Sequence, residues 1–157
     1  MSATMMFKKL FHTGYAVRDV DKAIASLGDK FGITDWKILR LPEDSPGRAL
    51  AFAYAHDMMI ELVDIKPGQV PIYNDWIPED ESAIRLHHLG YMVENEAEWQ
   101  TVTRRLERLG IPPAIDAEMG DLLAYRYFDT TLLLGHYCEF VMMKPGGESF
   151  WDSVPRN

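Results

Sequence analysis

"FHTGYAV" (residues 11–17) and "HHLGYMV" (residues 87–93) share the pattern His-x-Gly-Tyr-x-Val, with 76 positions between His12 and His88. Each stretch reads as a strand, in which alternate residues fall on opposite faces. His12, Gly14 and Ala16 therefore share one face, and His88, Gly90 and Met92 share the matching face of the second copy. The similarity extends outward: "RDVDKAIASLGDKFG" follows the first copy and "ENEAEWQTVTRRLERLG" the second. Both carry apolar residues at helical spacing, Val20, Ala23, Ile24 and Leu27 in one, Trp99, Val102, Leu106 and Leu109 in the other. Asp19 and Asn95 suit N-caps, and Gly32 and Gly110 stand where glycines end helices.

Three strand-like segments follow each helix: "TDWKILRL", "RALAFAYA" and "MMIELVDI", then "PPAIDAE", "LLAYRYF" and "HYCEFVMM". The last of each set repeats as well, since "IELVDIKPG" (60–68) lies over "CEFVMMKPG" (138–146), with Glu61 and Glu139 78 positions apart. Two independent markers at nearly the same offset argue for an internal repeat. The expected fold is α+β: two tandem βαβββ modules, curling into a mixed-sheet cup with helices outside. Module one spans about 8–66, a Pro-containing linker 67–84, module two about 85–145 and a tail 146–157, all within one domain.

Composition narrows the function classes. A formal charge of −8 repels phosphate backbones, so nucleic acid is not an expected partner. No apolar run approaches the roughly 20 residues that span a bilayer, so no membrane partner is expected either. "MSATMMFKKLF" places its lysines after a short apolar stretch and does not read as a signal peptide. Cys138, the single cysteine, permits no internal disulfide and fits a reducing cytoplasm.

The chemistry rests on four residues. Glu61 lies between Ile60 and Leu62, and Glu139 between Cys138 and Phe140. An ionised carboxylate inside a sheet is costly unless a positive group meets it, and neither strand carries Lys or Arg before Lys66 or Lys144. One divalent cation held by His12, Glu61, His88 and Glu139 would satisfy all four groups. Taken singly, a strand histidine is more often a core residue, and a strand glutamate more often solvated. The duplication makes the ligand set: His to Glu is 49 residues in one half and 51 in the other. His88, not His87, aligns with His12, which turns His87 to the other face. Tyr15 and Tyr91 read as core packing, Cys138 as buried and inert, and His56 and His136 as turn and strand-end residues. Met58, Met59, Tyr125, Tyr127 and Phe128 read as core or pocket wall.

These residues together resemble the vicinal oxygen chelate superfamily, which includes glyoxalase I, methylmalonyl-CoA epimerase, fosfomycin-resistance proteins and extradiol dioxygenases. The resemblance runs from His12 to Pro145 and rests on both His-x-Gly-Tyr-x-Val strands, "RDVDKAI", "YRYFDT" and the two Glu-bearing strands. It implies one divalent ion (Zn, Ni, Co, Mn or Fe) on His12, Glu61, His88 and Glu139. The two-His, two-Glu set is similar to that of bacterial glyoxalase I, although Ala16 stands where those enzymes carry an arginine for glutathione. Methylmalonyl-CoA epimerases usually carry Gln at the position of Glu61. "DTTLLLGHYCEF" departs from the common Asp-Pro-x-Gly turn before the last strand.

The activity so implied is that of an isomerase, epimerase or lyase, abstracting a proton next to a carbonyl through a metal-stabilised enediolate. Glu139 is the first choice for the base and Glu61 the second. The substrate would be a small molecule with vicinal oxygens and an apolar portion. Two other classes stay open: an extradiol-type ring-cleaving dioxygenase and a non-catalytic, antibiotic-type binding protein. A homodimer is also expected, because Trp76, Ile77, Phe150 and Trp151 lie in the linker and tail, outside either module core. The competing reading folds the tail back over its own sheet.

Overall fold

The first helix shows how local sequence sets this architecture. In the computed structural model, which describes residues 5–157, Asp19 has extended backbone and its carboxylate accepts from the N–H groups of Asp21 and Lys22 at 3.0 and 3.1 Å. That satisfies two of the donors a helix start leaves open. Helix α1 (Val20–Phe31) ends at Gly32, whose φ of 73° lets it turn in the left-handed region. Asn95 does the same for α2 (Glu96–Arg108), accepting from the Glu98 N–H at 3.0 Å. The start of "MSATMMFKKLF", residues 1–4, lies outside the described residues.

The chain divides into two compact units: His12–His87 with Ser153–Asn157, and His88–Asp152 with the described residues up to Phe11. In the first unit, β1 (Leu10–Val17), α1, β2 (Lys37–Arg40), β3 (Gly47–Ala55) and β4 (Met58–Ile65) form a βαβββ module. Its strands lie in the order β2-β3-β4-β1, with β1 and β4 parallel and the others antiparallel. Val20, Ala23 and Leu27 of α1 pack on Val17, Ala49, Ala51, Ile60 and Leu62, with Tyr15 beside them. Burying each of the larger side chains contributes about 1.5–3 kcal/mol.

The linker covers the opposite face of this sheet. Tyr73, in a short 3-10 turn (Pro71–Tyr73), joins Ala16, Val63 and Ile65, and Trp76 and Ile77 pack against that cluster. The C-terminal residues close the end of β3: Tyr54 N–H donates to the Pro155 carbonyl at 2.8 Å, and Asn157 N–H to that of Tyr54 at 3.0 Å.

The second unit repeats the plan with β5 (Ile84–Val93), α2, β6 (Pro113–Met119), β7 (Leu123–Phe128) and β8 (Tyr137–Met143). The order is β5-β8-β7-β6, again with one parallel pair, β5 and β8. Trp99, Val102 and Leu106 of α2 pack on Val93, Phe128, Cys138 and Phe140, with Tyr91 alongside. One helical turn, α3 (Thr131–Leu134), is inserted between β7 and β8, and α4 (Glu148–Asp152) follows β8. Trp151 is buried, its ring 5.2 Å from that of Phe11 and its indole N–H donating to Met143 Sδ at 3.1 Å.

The two βαβββ modules and the α+β class are as expected from the repeat. The apolar residues of the linker and tail make contacts within the chain: Trp76 and Ile77 pack in the first unit and Trp151 in the second, with Phe150 against Trp151. Among the described residues, no helix is long and apolar enough to cross a membrane.

Candidate metal centre

β4 is a central strand of the first unit, so Glu61 has a neighbour on each side: Gly14 in β1 and Phe52 in β3. His12 lies two residues before Gly14 and so projects from the same face, away from α1. Its Nε2 is 3.3 Å from Glu61 Oε2. The second unit reproduces this register. Glu139 of β8 stands between Gly90 in β5 and Tyr127 in β7. His88, two residues before Gly90, brings Nε2 to 3.5 Å from Glu139 Oε2. Glycine beside each glutamate leaves the imidazole and carboxylate facing each other with no side chain between.

All four residues are buried: His12 and Glu139 are 5% exposed, Glu61 9% and His88 0%. The sequence-predicted ligands thus meet pairwise, His12 with Glu61 and His88 with Glu139, each pair within one unit. Buried carboxylates beside imidazoles are a donor set suited to a borderline divalent cation, whose charge offsets the cost of desolvating the acids. His12, Glu61, His88 and Glu139 are residues that could hold a metal ion.

Other histidines have structural work. His87 is fully buried in the first unit, stacked on Tyr73 at 3.8 Å between ring centroids, and its Nε2–H donates to the Ile72 carbonyl at 2.9 Å. His136 Nδ1–H donates to the Tyr137 carbonyl at 2.8 Å, at a strand end. His56 sits in the β3–β4 turn with φ 55°. Cys138 packs in the α2 core on the face opposite Glu139, and burial pushes its thiol up from the ordinary value. Each of these matches its sequence reading.

Asp64, which the sequence did not single out, is a buried carboxylate with a different purpose. It accepts from the Val20 N–H at 3.2 Å at the start of α1 and from Arg48 at 2.8 Å. Burial raises its pKa, with the Arg48 and Val20 hydrogen bonds pulling the other way.

Tyr127, read from the sequence as core or pocket wall, is buried, but it makes a specific polar contact that the sequence did not single out: it faces Glu139 across β7–β8, and its hydroxyl lies 3.3 Å from His88 Nε2. Its counterpart by register is Phe52. Nine residues separate Phe52 from Glu61, but twelve separate Tyr127 from Glu139, because α3 is inserted between them. Counting along the repeat therefore did not align the two.

Comparison with known proteins places this geometry. Residues 11–122 match the model of the Glyoxalase/Bleomycin resistance protein/Dioxygenase superfamily, a span that covers His12, Glu61 and His88 and ends before Glu139. No curated protein sequence matched the chain. Among solved structures, methylmalonyl-CoA epimerase from Mycobacterium tuberculosis is similar at 21% identity and a TM-score of 0.57, over 95% of this chain and 97% of its own. A hypothetical protein from Bacillus halodurans C-125 is similar at 16% identity and a TM-score of 0.60, over 87% and 94%. A variant of Streptomyces coelicolor methylmalonyl-CoA epimerase, in complex with 2-nitronate-propionyl-CoA, is similar at 12% identity and a TM-score of 0.62, over 87% and 98%. At such identities the likeness carries the fold alone. The family match spans well over half of the chain, and with the repeated module it leads to one conclusion: this protein belongs to the glyoxalase/bleomycin resistance protein/dioxygenase superfamily.

Proposed function

We propose that His12, Glu61, His88 and Glu139 together hold one divalent metal ion, and that the protein is a metal-dependent isomerase or epimerase moving a proton next to a carbonyl. The observation that carries this reading is the matched register. Gly14 pairs with Glu61 and Gly90 with Glu139, with a histidine two residues before each glycine. Two His–Glu pairs in the same local geometry suit one shared centre better than two unrelated ion pairs. Two imidazoles and two carboxylates fit Zn, Ni, Co, Mn or Fe(II).

The bound cation would supply Lewis acidity to the substrate's vicinal oxygens. This chain's residues would do the rest. Glu139 takes the proton from the carbon next to the carbonyl, and the C–H electron pair shifts toward the carbonyl oxygen. Glu61 carries the second carboxylate, so a proton can be returned on the opposite face, giving epimerisation, or Glu139 can return it itself. Burial of both acids limits the water that competes for the proton in transit. The epimerase neighbours make methylmalonyl-CoA and related acyl thioesters the first substrates to try.

The test is deuterium incorporation from D2O. The metal-loaded protein is incubated with methylmalonyl-CoA and a panel of 2-oxo and 2-hydroxy carbonyl compounds, and exchange at the carbon is followed by NMR. Exchange with an accepted compound should fall about 10²–10⁴-fold in Glu139→Gln, the usual contribution of a general base. Exchange unchanged in that variant removes Glu139 from the role. Purified protein that retains no metal overturns the centre itself.

A further inference from the structure

α4 and the residues that follow it are anchored in different units. Within the second unit, the Trp151 indole N–H donates to Met143 Sδ at 3.1 Å, and its ring meets Phe11 edge on at 5.2 Å between centroids. The register of β8 with β7 is unbroken from Cys138 to Met143, so strand alternation puts Met143 on the same face as Glu139, about 13 Å further along the strand. Trp151, 7% exposed, therefore covers the Glu139 face of β8 beyond the carboxylate. The start of α4 is pinned. The Gly147 N–H donates to the Lys144 carbonyl at 2.9 Å, and a Cβ at Gly147 would come within 2.2 Å of the Leu122 carbonyl oxygen.

Ser153–Asn157 belong to the first unit. The Asn157 side chain meets a set of backbone groups there. Its Oδ1 accepts from the N–H groups of Thr34 and Asp35, both at 2.9 Å, and its Nδ2 donates to the carbonyls of Asp35 and Tyr54 at 3.2 and 3.1 Å. A carboxamide uses both its acceptor and its donors in this place, and a carboxylate of the same length supplies only the acceptor. The Arg156 guanidinium lies 4.1 Å above the Tyr54 ring, and Lys37 Nζ donates to Ser153 Oγ. No spare chain separates the two anchorages, because Asp152 ends α4 and Ser153 begins the next segment.

The first unit closes the matching end of its sheet in another way. Ile65 of β4 packs with Tyr73, which is stacked on His87 and flanked by Trp76 and Ile77 in one apolar cluster. α4 is only five residues long, and Glu148, Ser149 and Asp152 face solvent. A helix so short has little stability of its own, so its place depends on Trp151 and on what holds its far end.

We propose that α4 is a lid on the Glu139 face of β8, and that Ser153–Asn157 are its latch. Release of Asn157 from Thr34, Asp35 and Tyr54 frees the far end of α4 while Gly147 keeps its start in place, and Trp151 lifts from Met143. The use of the lid rests on the proposed reaction, since it controls entry to the face that carries Glu139. The motion itself involves no metal.

Hydrogen exchange followed by mass spectrometry on the whole metal-free chain tests this in the wild type, Asn157→Ala and Asn157→Asp. Loss of the carboxamide bonds should speed exchange across residues 148–152 about 10–100-fold in Asn157→Ala. Asn157→Asp, which keeps the acceptor, should fall between the two. Peptides from α2 and β6–β8 should exchange at wild-type rates in all three proteins. Faster exchange confined to residues 153–157 overturns the latch. Faster exchange throughout the second unit overturns the lid, because α4 would then be part of the unit's fold and not a separately moving element. No arm uses metal or substrate, so the metal-centre reading stands or falls separately, on the metal the purified protein retains.

Discussion

Replacing Glu61 with leucine should change stability in opposite directions with and without metal. Glu61 is 9% exposed and lies mid-sheet between Gly14 and Phe52, with the His12 imidazole as its near polar contact at 3.3 Å. Without a cation, the protein desolvates a carboxylate there. Exchanging buried ionic groups for well-packed apolar ones of similar volume commonly stabilises by about 1–4 kcal/mol. Only one partner is removed here, and the buried imidazole left behind without it offsets part of that gain, so the low end applies: about 1–2 kcal/mol. For a chain of this size that is a rise of about 2–8 °C in Tm. With metal at a hundredfold excess over its dissociation constant, the wild type gains about 2.7 kcal/mol, or about 5–11 °C. Glu61→Leu, short of one ligand, should gain far less. The rank order of the two proteins therefore narrows or reverses between EDTA and Zn²⁺ or Co²⁺ in differential scanning calorimetry. A leucine variant that melts below the wild type in EDTA, or gains as much from metal, would show that Glu61 is a structural ion-pair partner and not a ligand.

Other consequences can be checked alongside. Asp64 has a raised native pKa, so its native form holds a proton that the unfolded chain releases near 3.8. Its contribution to stability is complete below that value and is lost as pH climbs through the raised native one. Asp64→Asn should flatten this part of the stability–pH curve, and urea titrations at several acid pH values would reveal an unchanged slope if the reasoning is wrong. Trp151→Ala, which empties the contact with Phe11 and Met143, should destabilise the protein by about 3–5 kcal/mol. Deleting residues 147–157 removes Trp151 and the C-terminal residues on β3, so it should lower Tm sharply. Light scattering then separates the assembly readings: if the wild type is a dimer and the shortened chain a folded monomer at wild-type Tm, the tail serves assembly and not the fold.

The repeat by itself determined the two βαβββ modules, because strand alternation and helix spacing are local regularities that a duplicated sequence shows twice. Asp19, Asn95 and Gly32 were legible for the same reason, since capping depends on a few adjacent residues. The pairing of His12 with Glu61 and of His88 with Glu139 was legible through duplication, although His12 and Glu61 are far apart in the chain. What only the tertiary structure decided were contacts that depend on register between strands or on where a non-repeating segment settles. The linker's Trp76 and Ile77 pack on the sheet face opposite α1, and Trp151 packs on Phe11; neither segment has a counterpart from which its place could be read. The α3 insertion shifted the count between β7 and β8, so Tyr127 looked like one aromatic among several. Spacing along the chain does not report which residues lie side by side across strands. The hydrogen-bonded ladder does, and it sets Tyr127 opposite Glu139 with its hydroxyl on His88.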